Sequence, residues 1–79
     1  MITGAEVRAA RKLLGWTQKE LASKSRIGGQ KVSEVEKDKL DRVLEAFFYF
    51  QVQAALEQVG VIFVDENGEG PGVRLRKGK

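Results

Sequence analysis

The stretch Thr17–Glu36, TQKELASKSRIGGQKVSEVE, constrains this chain more than any other. It holds two short helical patterns joined by a tight turn over Ser25 to Gly28. Gln18 opens the first pattern. Ala22 lies one turn later, where only a small side chain lets a second helix cross closely. Ile27 plugs the turn, and Val32 and Val35 share one face of the second pattern. A small residue at the crossing, an apolar plug and an apolar stripe on the outer helix are what two helices need to pack at a steep angle.

The rest of the chain is read around that pair. At 79 residues, with no Cys and no His, it fits one small domain without disulfides or zinc-finger ligands. A core of this size is limited, so self-association would help its stability. No apolar run approaches the roughly 20 residues of a membrane span, and the N-terminus lacks the charged head and long apolar centre of a signal peptide. These features predict a cytoplasmic protein. Charge is unevenly laid out. Residues 1–37 hold eight Lys/Arg against four Glu, residues 38–70 two against seven acids, and residues 71–79 four and no acid. A basic front and tail around an acidic middle suit a protein that turns one side toward phosphates.

Thr3-Gly-Ala-Glu6 and Thr17-Gln-Lys-Glu20 are capping-box patterns that start helices over 4–14 and 18–24. Val7, Ala10, Leu13 and Leu14 form the buried stripe of the first, and Gly15 stops it. Trp16 precedes the second cap and packs as a staple against Leu21. A third helix is expected from 28 or 29 to 36 or 37. Residues 38–59 again read as helical, and four successive aromatics, Phe47-Phe48-Tyr49-Phe50, cannot share one face of a straight helix. A short helix near 39–46 and a longer one near 47–59 are predicted. Residues 61–64 read as a strand and 65–72 as a turn-rich loop. Residues 73–76 are a second strand, with Val73 and Leu75 inward and Arg74 and Arg76 outward. The expected organisation is a helical domain over 1–64, with 65–79 as its turn, short strand and basic tail.

Residues 3–37 resemble the Xre family, the helix-turn-helix class of phage Cro and CI repressors. The resemblance is carried by Leu-Gly-Trp-Thr-Gln at 14–18, Glu-Leu-Ala at 20–22, and Ile27, Val32 and Val35. It extends to the ending Ala-Leu-Glu-x-x-Gly-Val-x-Phe at 55–63 and Gly-Pro-Gly-Val-Arg-Leu-Arg at 70–76, similar to a subgroup of small bacterial regulators. The resemblance implies a mainly α, lambda-repressor-like domain of four to five helices, closed here by a short β-hairpin. It implies a transcriptional regulator, bacterial or phage-encoded and nucleoid-associated, bound to double-stranded DNA as a homodimer. Two positions depart from the family. Arg26 stands where the turn usually has Gly, and Gly28-Gly29 replace the usual polar cap and base-reading residue.

On such a domain the third helix enters the major groove. Its outer face offers Gln30, Lys31, Ser33 and Glu34 to the bases. A glutamine pairs with an adenine edge, a lysine with guanine acceptors, and a carboxylate accepts from a cytosine amino group. Gln18 matches the family position that holds a phosphate. Thr17, Lys19, Lys37 and the exposed amides at Gly28 and Gly29 are further candidates for phosphate contact. Arg8, Arg11, Lys24 and the basic tail (Arg74, Arg76, Lys77, Lys79) are candidates on charge alone. Glu34 and Glu36 on the same helix are expected to repel phosphates.

Phe47, Phe48, Tyr49 and Phe50 are more aromatics than one small core needs on one turn, which makes them a candidate dimer or partner surface. The competing reading is an antiactivator or antitoxin on the same fold that sequesters another regulatory protein. Catalysis is not expected, since there is no His or Cys and no phosphate-cradling glycine motif. No metal site or cofactor is expected either. Asp65, Glu66 and Glu69 do not have the spacing of an EF-hand loop.

Overall fold

The computed structural model describes residues 2–64 and 72–76. Four helices, α1 (Gly4–Leu14), α2 (Gln18–Ser25), α3 (Gly29–Glu36) and α4 (Ala46–Gln58), are followed by strands β1 (Val61–Phe63) and β2 (Val73–Leu75). Both capping boxes form. The Thr3 hydroxyl accepts from the Glu6 amide at 3.1 Å while Glu6 accepts from the Thr3 amide at 2.9 Å. Thr17 and Glu20 do the same at 3.1 and 2.8 Å. Each box satisfies two amides that a helix start leaves without partners.

α1 ends at Gly15 and α2 at Arg26, both in the left-handed region, at φ 71° and 61°. Glycine takes that conformation freely, whereas an arginine Cβ crowds the following carbonyl. Arg26 therefore adopts the left-handed backbone that a glycine would take at this turn without strain. Replacing the exposed Arg26 with Gly is expected to stabilise the fold by about 1 kcal/mol. Thermal unfolding should register this as a rise in Tm of roughly 4–8 °C.

The core joins Val7 and Ala10 of α1, Leu21 and Ala22 of α2, Val32 and Val35 of α3, and Tyr49, Val52 and Leu56 of α4. Leu14, Trp16 and Ile27 pack on its edge, as their spacing predicts. Leu13 does not join them and is 48 % exposed. α1 meets α3 so closely that a Cβ on Gly4 would lie 2.4 Å from the Glu36 carbonyl oxygen.

Between α3 and α4 the structure departs from expectation. No short helix forms over 39–46; residues 42–45 are a turn. Two carboxylates explain it. Asp38 has φ 54°, and its side chain accepts from the Gly4 amide at 3.1 and 3.0 Å. It also accepts from the Tyr49 hydroxyl at 3.2 Å and from the Arg42 guanidinium. A left-handed residue anchored to another helix ends α3. Asp41 Oδ1 then accepts from the amides of Val43 and Leu44, at 2.8 Å each, which holds its carboxyl below the ordinary range. Side chain-to-backbone bonds of this kind compete with helical ones. Leu40 is buried, but Val43 and Leu44 stand 85 % and 84 % exposed.

α4 begins at Ala46 and carries the aromatic run without a break. Tyr49 is fully buried, so it is core and not part of an outer surface. Burial first, and then the negative charge of Asp38, push its phenol above the ordinary value of 10.0. The neutral phenol is favoured only in the fold, so its contribution is complete below pH 10 and is lost as pH rises beyond. Tyr49 is the single tyrosine. Its phenolate absorbance should therefore appear late and together with loss of helicity, and Tyr49→Phe should abolish that alkaline step.

β1 and β2 pair antiparallel with Val61 opposite Leu75 and Phe63 opposite Val73. β1 lies on α4 and β2 on α1. Val73 packs on the core and Arg74 and Arg76 point out, but Leu75 is 40 % exposed although its register partner Val61 is buried. The turn expected over 65–72 lies, apart from Gly72, outside the described residues, as do Lys77 and Lys79.

Candidate nucleic-acid interface

At 100° per residue, α3 turns Val32, Val35 and Glu36 toward the protein and Gln30, Glu34 and Lys37 away from it, with Lys31 and Ser33 on the two flanks. Gln30 and Lys37 are exposed, and Ser33 and Glu34 are half-buried. The Gln30 amide lies 3.4 Å from Glu34 Oε2, so the two outward side chains are linked along the helix. Gly28 caps α3 without a side-chain bond. With no side chains at 28 and 29, the start of α3 presents bare backbone, whose first amides have no partner within the helix.

Glu36 is not on the outer surface. It is 4 % exposed, and Arg11 grips it through two bonds, Nε to Oε2 at 2.7 Å and a terminal nitrogen to Oε1 at 3.2 Å. The Gln18 amide donates to Glu36 Oε1 at 3.0 Å. Arg11 also reaches the Trp16 carbonyl at 3.0 Å, and Arg8 the Glu36 carbonyl at 3.3 Å. One buried carboxylate thus ties α1, the start of α2 and the end of α3 together. The expected repulsion of phosphate by Glu36 is removed, because its charge is paired inside. Arg11, assigned to phosphate on charge alone, is half-buried in that pairing.

The remaining candidates lie around this brace. Thr17 and Lys19 are exposed at the start of α2, with the Thr17 hydroxyl occupied as a cap. Gln18 stands beside them, half-buried, its amide turned to Glu36. Lys24 is exposed at the far end of α2. Lys31 turns toward α4, with its ammonium 3.5 Å from Glu45 and 5.0 Å from the centre of the Phe48 ring. On α4 the aromatics divide. Phe47 and Phe50 are 60 % and 56 % exposed, Phe48 packs partly on the core, and Tyr49 lies within it. Among the described residues no group of three or more carboxylates is arranged to hold a metal ion.

Residues 7–42 match the family model described as helix-turn-helix. The matched segment contains α2, the turn and α3, together with most of α1. The class this defines is the DNA-binding helix-turn-helix regulator, built on a mainly helical, lambda-repressor-like fold with a small C-terminal hairpin. Within that class the matched segment is similar to the Xre family, the Cro- and CI-like branch. A comparison with curated proteins found no match.

The brace and Asp38 are the residues the sequence reading missed. A signal for Glu36 was present. It falls four residues after Val32 and one after Val35, which places it on the buried side of the helix. A carboxylate there needs a partner, and the cations of α1 supply it. Asp38 carries no such signal, because its partners are 34, 11 and 4 residues away and its backbone is in a region aspartate visits only occasionally.

Proposed function

We propose that this protein is a sequence-specific transcriptional repressor that binds DNA as a homodimer and reads the major groove with α3. The observation that carries the reading is the outward row Gln30, Glu34 and Lys37, opposite the core on the second helix of a helix-turn-helix that a buried carboxylate braces. Gln30 is the principal base reader, with Glu34 and Ser33 beside it. Thr17, Gln18, Lys19 and Lys37 hold phosphates, and the bare amides at Gly28 and Gly29 allow the backbone to come close. One such helix spans only a few base pairs, so specificity needs two half-sites about one helical turn apart.

Selection of bound sequences from a random DNA pool at moderate salt tests the proposal. A two-fold symmetric consensus is the expected result, and no enrichment would count against it. On the selected site Gln30→Ala is expected to weaken binding by about 1–3 kcal/mol, roughly 5- to 150-fold, and to relax preference at one position. Its thermal stability should remain that of the wild type. Unchanged affinity would remove Gln30 from the reading face.

A second reading is favoured by a specific observation. Val43, Leu44, Phe47 and Phe50 are exposed apolar side chains on the turn and the first half of α4. In the proposed homodimer this face, with Phe48 at its edge, is the contact between copies. In an antiactivator or antitoxin it would take another regulatory protein. Salt separates the two activities, since phosphate contacts weaken steeply with salt and an apolar contact hardly responds.

A further inference from the structure

Lys31 lies next to Gln30 in the chain but a quarter-turn or more around the helix, on the flank that faces the turn before α4. Its ammonium sits between three groups: Glu34 Oε1 at 3.5 Å, Glu45 Oε1 at 3.5 Å and the Phe48 ring centre at 5.0 Å. Glu34 belongs to α3 and moves with Lys31. Glu45 and Phe48 belong to another segment, so their contacts fix where the side chain points relative to the rest of the protein. A carboxylate and an aromatic face together suit an ammonium, one through charge and the other through the ring quadrupole. The Lys31 side chain keeps 38 % exposure and that of Glu45 35 %. The pair is therefore open to competition from an arriving phosphate.

We infer that Glu45 and Phe48 are positioning residues that hold the Lys31 ammonium against α4, so that Glu45 lowers duplex affinity without touching DNA. The inference rests on the DNA-binding reading and adds to it a residue that sets binding strength. Without Glu45, Lys31 is released on the flank of the reading helix, where it acts as one more phosphate contact.

Equilibrium binding of the full chain to a generic duplex across a salt series tests this. Glu45→Gln is expected to raise affinity at low salt about two- to five-fold. It should also steepen the plot of log K against log salt by about 0.9, the signature of one added phosphate contact. In a Lys31→Met background the same Glu45→Gln change should leave both quantities almost unaltered. An equal gain in the two backgrounds would show a lost negative charge acting through space, and overturns the inference while DNA binding stands. A wild-type chain that binds no duplex at any salt overturns both. A second measurement does not depend on affinity. The Phe48 ring current should move the Lys31 side-chain proton resonances upfield, and Phe48→Leu should remove the displacement; a wild-type protein without it overturns the positioning.

Discussion

Arg11→Ala should unfold most of the protein at temperatures where the wild type is intact. The substitution leaves the Glu36 carboxylate 4 % exposed with only the Gln18 amide to face it. Removing one partner of a buried ion pair destabilises by about 3–5 kcal/mol, because the remaining charge stays out of water uncompensated. Against a typical domain stability of about 5–15 kcal/mol this is a large fraction. In a domain of this size Tm should fall by roughly 15–30 °C. The penalty comes from the stranded charge, so Arg11→Met combined with Glu36→Leu should recover much of it. An Arg11→Ala protein that melts with the wild type would show that the carboxylate reaches water and braces nothing. The predicted unfolding would separate Arg11 from the phosphate contacts, since its loss acts on the fold before it acts on DNA.

Tyr49→Ala and Phe47→Ala, two residues apart on α4, should fail in opposite ways. Tyr49 is the largest fully buried side chain, and its hydroxyl donates to Asp38. Truncation opens a cavity and strands part of the Asp38 network, which costs about 3–5 kcal/mol. The denaturant midpoint should drop steeply whatever the protein concentration. Phe47 is 60 % exposed, so its truncation should change stability by no more than about 0.5 kcal/mol. In the proposed dimer its effect appears in sedimentation, as a shift toward monomer at a given concentration. Stable Tyr49→Ala protein would contradict the packing of α4, and an unchanged Phe47→Ala association would move the dimer contact elsewhere.

Both experiments turn on distinctions that periodicity does not make. The pattern of Thr17–Glu36 was enough to place α2, the turn and α3, because local signals agree there. A cap, a small crossing residue and an apolar stripe recur at helical spacing within one short segment. The two capping boxes and the stop at Gly15 were legible for the same reason. The order of elements up to 36, the single long helix after 46 and the antiparallel ending follow from near-neighbour chemistry.

The tertiary structure alone decided what the exposed and charged residues do. Glu36 lies by its spacing on the buried side of α3, but its partner is not local, and it becomes the internal brace because Arg11, 25 residues earlier, is brought to it. The helical pattern over 39–46 reads as a helix, and is a turn because Asp38 is held by Gly4, across 34 residues. The four aromatics are equivalent as a string, and are divided by which side of α4 the core occupies. Lys31 reads as a base-contacting side chain, and is drawn aside by Glu45 and Phe48. Backbone capping and apolar spacing act over one or two turns, so a sequence displays them directly. A charge finds its partner only when distant segments meet, and no local pattern records that meeting.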